Sequence, residues 1–126
     1  MSNEKTILVV DDDSDVHELC KISLKPAGFR VVCASSVAEG KSLTESERPD
    51  GIILDIMMEE ADSGLHLARW LNEEHPGIPV LLMSSILDAG AEVFDILAVP
   101  AAMRVNKPLS PKEITTQVQN MIARKG

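Results

Sequence analysis

An α/β fold is expected for this chain: a doubly wound parallel sheet of five strands in the order 2-1-3-4-5, with helices on both faces. Two features lead there. Five short apolar runs alternate with longer segments of helical spacing along the whole chain, and successive βα units require a parallel sheet. The runs are also almost continuously apolar, as in GIILD at 51–55 and IPVLLM at 78–83, which is how strands covered on both faces read. Right-handed crossovers leave few topologies for such strands, and 2-1-3-4-5 is the commonest.

The elements follow in order. Thr6–Val10 reads as a buried strand. Asp13 or Ser14 can cap a helix carrying Val16, Leu19, Cys20, Ser23 and Leu24 on one stripe, which Pro26 and Gly28 stop. Phe29–Ala34 is the second strand, and Val37 to about Glu45 a second helix, weakened by Gly40. Gly51–Asp55 is the third strand. Leu65, Ala68, Leu71 and Asn72 mark a third helix that ends at Pro76-Gly77, and Ile78–Met83 is the fourth strand. A short helix over Ala91–Leu97, stopped by Pro100, leads to a fifth strand over Ala102–Asn106. The last helix opens on Ser110-Pro111-Lys112-Glu113, a capping box with Pro at the first helical position, and continues with Ile114, Val118, Met121 and Ile122 as its apolar stripe.

The 126 residues suit one domain, residues 1–126 with a core from about 5 to 124. The net charge of −8 disfavours direct contact with nucleic acid, which wants a basic footprint, and favours a cation or a basic partner surface. No apolar run reaches membrane-spanning length, and the start MSNEKT is polar rather than signal-like. A cytoplasmic location is therefore expected. Cys20 and Cys33 lack metal-site spacing and read as two buried thiols in a reducing compartment. His17, His66 and His75 are scattered and read as surface or boundary residues.

In open α/β sheets ligands bind beyond the carboxyl ends of the strands, where the strand order reverses. Strand one ends in Asp11-Asp12-Asp13, strand three in Asp55, strand four in Ser84-Ser85 and strand five in Asn106-Lys107-Pro108. Taken singly, each has a plain reading: a helix cap, a turn residue, a solvated loop lysine. Together they line one rim, and strands one and three are neighbours there. Carboxylates brought so close repel one another unless a cation intervenes. Carboxylates, waters and a carbonyl at an open rim suit Mg²⁺. A carboxylate beside the cation can attack a phosphoryl donor, and the transferred oxygens then need stabilising charge. Asp11 and Asp12 can hold the metal, Lys107 can supply an ammonium and Ser84 a hydroxyl. Asp55, alone on its strand end, is the best nucleophile.

These residues resemble the receiver domains of two-component response regulators, the chemotaxis-regulator-like family. The matching pieces are ILVVDDDSDV, GFRVVCAS, PDGIILDIMM, PVLLMSS and VNKPLS, in order and over essentially the whole chain. The resemblance implies a flavodoxin-like (βα)5 sandwich and a phosphoprotein of a phosphorelay, not an enzyme in the ordinary sense. It makes Asp55 the phosphoacceptor. Mg²⁺ (or Mn²⁺) would be bound by Asp12, Asp55 and the backbone carbonyl of Met57, with Asp11 acting through a water. Ser84 and Lys107 would contact the phosphoryl group, and Asp13 would cap the helix. The donor would be a sensor histidine kinase or a phosphotransfer protein. With no DNA-binding motif here, output would come from a protein partner or from an output domain absent from the chain. A phosphorylation-dependent homodimer through the strand-five face belongs to the same analogy. The sequence fits a stand-alone receiver and a piece of a longer regulator or hybrid kinase equally well.

Three departures stand out. Glu59 takes the place of the family's usual Pro, and Gly64 falls one residue late, so the loop EEADSG is longer and more acidic. Arg104 replaces the usual Tyr or Phe three residues before the Lys, so an aromatic switch is not available at that position. Met57 and Ile86, at positions bordering the path of hydrolytic water, are both apolar, which predicts slow loss of the phosphoryl group. Two other readings compete. One is an unphosphorylated adaptor of the same fold, against which stands the complete set of Asp11, Asp12, Asp55, Ser84 and Lys107. The other is a haloacid-dehalogenase-like phosphatase using Asp11 and Asp13 as its DxD. The chain is short for that fold, and Asp55 is left unexplained. A flavodoxin is less favoured still, because two Phe and one Trp leave little to stack a flavin ring.

Overall fold

β1 (Lys5–Val10), β2 (Phe29–Ala34), β3 (Gly51–Asp55), β4 (Val80–Ser84) and β5 (Arg104–Asn106) form one parallel sheet in the order β2-β1-β3-β4-β5. This is the doubly wound topology expected. The computed structural model describes residues 4–55, 63–84, 104–106 and 110–125. The helices among them are α1 (Ser14–Leu24), α2 (Val37–Glu47), α3 (Ser63–Glu74) and α4 (Pro111–Lys125). The expected helix over 91–97, and residues 102 and 103 of the expected last strand, lie outside the described residues. No helix among them is long and apolar enough to cross a membrane.

Strand alternation sends successive side chains to opposite faces, so each apolar run feeds two cores. Leu8, Val10, Ile52, Leu54 and Leu82 pack with Leu67, Ala68 and Leu71 of α3, and Val37 and Leu43 of α2 close against them. Ile7, Val9, Ile53, Leu81 and Met83 pack with Cys20 and Leu24 of α1 and with Ile114, Val118 and Met121 of α4. Each fully buried Leu or Ile contributes about 1.5–3 kcal/mol. The Thr115 hydroxyl also donates to the Ser23 carbonyl at 2.9 Å, a polar tie between α4 and α1.

The helix ends follow local chemistry. Asp13 is the cap of α1, its carboxylate accepting the Asp15 N–H at 2.9 Å. Lys25–Ala27 form a 3₁₀ turn after α1, and Gly28 (φ 92°) takes the left-handed conformation that ends it. Ser36 caps α2 by accepting the Glu39 N–H at 3.1 Å. At α4 the Ser110 hydroxyl accepts the Glu113 N–H at 3.2 Å while Glu113 accepts the Ser110 N–H at 3.0 Å. That backbone bond holds the Glu113 carboxyl below its usual range.

Several boundaries differ from expectation. β1 begins one residue early, at Lys5. β4 begins at Val80 rather than Ile78, because the Ile78 N–H donates to the His75 carbonyl at 3.1 Å and closes the turn after α3. α2 runs on to Glu47 and ends where Arg48 takes a left-handed conformation (φ 47°), its N–H bonded to the Thr44 carbonyl. Cys33 is half-buried rather than buried, and neither cysteine forms a disulfide. Partial burial nevertheless pushes the Cys33 thiol above its ordinary range.

Gly40 lies in the middle of α2 where the helix crosses the sheet. A Cβ there would sit 3.0 Å from Leu67 Cδ2 and 3.3 Å from both Val10 methyls, and both neighbours are fully buried. Gly40→Ala would gain about 1 kcal/mol of helix propensity but incur an overpacking cost of about 1–3 kcal/mol. A net loss of about 1 kcal/mol is expected, seen as a lower urea midpoint with an unchanged slope. A higher midpoint would mean that Leu67 rotates clear at little cost.

Candidate functional site

The register of the sheet builds the site. Ile7 pairs with Gly51, Val9 with Ile53 and Val10 with Leu54, so the residues one step further, Asp11 and Asp55, arrive level at the carboxyl end of neighbouring strands. Alternation gives them the face shared by Val9 and Ile53. One carboxylate oxygen from each of Asp11, Asp12 and Asp55 lies within 4.8 Å of the others. Asp11 is fully buried, Asp55 is 4 % exposed, and Asp12 is open to solvent. The site is thus an acidic floor with one acid at its mouth.

Asp11 is fastened at three points. Its N–H donates to the Ala34 carbonyl at 3.0 Å, its Oδ1 accepts the Asp13 N–H at 2.9 Å, and its own carbonyl lies 2.7 Å from His17 Nε2. A carbonyl only accepts, so the ring nitrogen is the donor. His17 is half-buried, as expected of a boundary residue, and it also contacts the strand end. No sequence motif carries this contact; it arises because the first turn of α1 folds back over the end of β1.

The other expected site residues are placed less completely. Asp55 pairs with Met83, so Ser84 comes one step beyond, at the end of β4 beside Asn106. Arg104 opens β5 opposite Leu82. Lys107, which follows directly on β5, lies outside the described residues, as do Met57, Ile86 and Glu59–Asp62. Ser63 and Gly64 belong to the first turn of α3.

A donor set made only of carboxylate oxygens selects a hard cation, and Mg²⁺ in particular keeps waters and accepts few protein ligands. Asp11, Asp12 and Asp55 fit that demand: they offer oxygens, they crowd negative charge, and one side of the cluster is open.

The family profile described as the response regulator receiver domain matches residues 7–119. The chain belongs to this family. Curated relatives agree. The receiver is 32 % identical over 123 residues to the alkaline phosphatase synthesis transcriptional regulatory protein PhoP of Bacillus subtilis, covering 95 % of the chain and 49 % of that protein. It is 31 % identical to the probable transcriptional regulatory protein TcrX of Mycobacterium tuberculosis, covering 96 % of the chain and 51 % of that protein. It therefore spans about half the length of these relatives. Among solved structures, a receiver domain protein from Clostridium thermocellum superposes with a TM-score of 0.80 at 28 % identity, each chain covered to 96 %. A CheY-like receiver from Methanospirillum hungatei gives 0.84 at 22 % identity, covering 98 % and 97 %, and bears on the fold alone. Receivers are signalling domains rather than ordinary enzymes, and phosphorylation and Mg²⁺ are typical of them.

Proposed function

We propose that residues 1–126 form one receiver domain that accepts a phosphoryl group on Asp55 with the help of Mg²⁺. The observation that carries this reading is the convergence of Asp11, Asp12 and Asp55 at the carboxyl rim of β1 and β3. In the proposed reaction a carboxylate oxygen of Asp55 forms a bond to phosphorus. The P–N bond to a histidine of a sensor kinase or phosphotransfer protein breaks, and the imidazole leaves with the bonding pair and takes up a proton. Asp11, Asp12, Asp55 and the Met57 carbonyl would hold the cation. When bound, Mg²⁺ supplies positive charge against the carboxylates and the phosphoryl oxygens. Ser84 would donate its hydroxyl, and Lys107 its ammonium, to the phosphoryl group. Burial of Asp55 limits competing water at the acceptor. The protein would act in the cytoplasm, with output through a protein partner or a further domain.

Intact mass after incubation with acetyl phosphate and Mg²⁺ tests the proposal. Addition of one phosphate supports it; no addition favours the adaptor reading, which Arg104 on β5, in place of an aromatic, independently commends. Met57 and Ile86 offer nothing to orient an attacking water, so Met57→Asn is expected to speed dephosphorylation on the order of tenfold, about 1.4 kcal/mol of barrier. The check is loss of the added mass with time, and an unchanged, already fast rate would count against it.

A further inference from the structure

His17 has a place in the metal site that neither the motif nor the family match assigns. We propose that His17 is a positioning residue: its Nε2–H fixes the Asp11–Asp12 peptide and so aims the Asp12 carboxylate into the cluster. The proposal rests on the metal site above.

Asp12 is the weak member of the cluster. It is exposed, and among the described residues no hydrogen bond or ion pair holds its carboxylate. Among the described residues, then, its backbone alone constrains its direction. The Asp11 carbonyl and the Asp12 N–H share one rigid plane, so a bond to that carbonyl fixes the rotation of the peptide that carries Asp12. His17 makes this bond at 2.7 Å from the fourth residue of α1, a helix itself packed on the sheet through Cys20 and Leu24. The bonds of the Asp11 N–H, which lies in the preceding peptide, and of the Asp11 carboxylate hold the Asp11 Cα at which this plane begins. Without the imidazole the plane can rock, and Asp12 must be ordered each time a cation binds. Groups that orient a metal ligand are commonly worth about 10- to 100-fold in metal affinity. An exposed ligand with one such support belongs at the lower end.

The test uses a pair of variants of equal reach, His17→Gln, which keeps an N–H donor, and His17→Met, which does not. Mg²⁺ is titrated into each 15N-labelled protein and into wild type, following amide shifts, and urea unfolding of the metal-free proteins is measured alongside. The expected result is a dissociation constant about tenfold weaker in His17→Met and close to wild type in His17→Gln. His17→Ala serves as the donor-free variant should His17→Met not fold. Equal Mg²⁺ affinity in wild type and the donor-free variant overturns the proposal, even where stability falls, because that pattern marks a purely structural residue. Equal weakening in His17→Gln overturns it too, since the donor would then be immaterial. Wild type that fails to bind Mg²⁺ overturns the metal site itself, and is recognised without any variant.

Discussion

Asp55→Asn is expected to abolish the gain of one phosphate from acetyl phosphate and Mg²⁺, read as intact mass. The substitution preserves shape in a position that is 4 % exposed at the end of β3, so the fold should survive. Chemistry changes in two ways. An amide oxygen carries no full negative charge and is a poor nucleophile toward phosphorus. One of the three clustered oxygen donors is also weakened. Removing a nucleophile elsewhere costs rates on the order of 10⁶-fold, so no phosphorylated species should accumulate. The variant also separates the competing readings. A phosphatase using Asp11 as nucleophile would still turn over a phosphate ester when Asp55 is Asn. Phosphate that persists in Asp55→Asn would move the acceptor to Asp11 or Asp12 and defeat the assignment.

The clustering of the three acids is legible because they are placed by strand ends, and strand ends are written in the sequence as the point where an apolar run stops. Ile7–Val10 and Gly51–Asp55 are buried along almost their whole length. The topology then makes their carboxyl ends neighbours, and Asp11 meets Asp55 without any further information. Asp13 was equally readable, as an acid two residues before the amide that it caps. What escaped depends on chain curvature rather than on composition. α2 runs two residues past the expected Glu45 because the helix closes on Arg48, with no glycine to announce its end. β4 starts later than its apolar run because the Ile78 side chain looks like strand while its amide belongs to a turn. The role of His17 was invisible for the same reason: six residues separate it from Asp11, and only the fold of the β1–α1 connection brings ring and carbonyl together.

The clustered acids should also make stability depend on Mg²⁺. A cation that binds only the folded chain stabilises it by RT ln(1 + [L]/Kd), about 2.7 kcal/mol when free Mg²⁺ is 100 times its dissociation constant. Wild type unfolded by urea in MgCl₂ is thus expected to show a higher midpoint than in EDTA, with the same slope, because the ion changes stability and not the surface exposed. Asp12→Asn isolates the cause. Asp12 is exposed, so the substitution disturbs no packing, yet it removes a charge that lies within 4.8 Å of two buried carboxylates. At an effective dielectric of about 20, each such pair of charges repels by roughly 3 kcal/mol before solvent and salt reduce it. The metal-free variant should accordingly be no less stable than wild type, and most of the Mg²⁺-dependent gain should vanish. That combination, stability kept and cation response lost, distinguishes a binding site from a supporting one: a residue that merely holds the fold would lower both curves together. If Asp12→Asn instead keeps the full response to MgCl₂, the cation acts elsewhere on this acidic chain, and the convergence of the three acids is not its site.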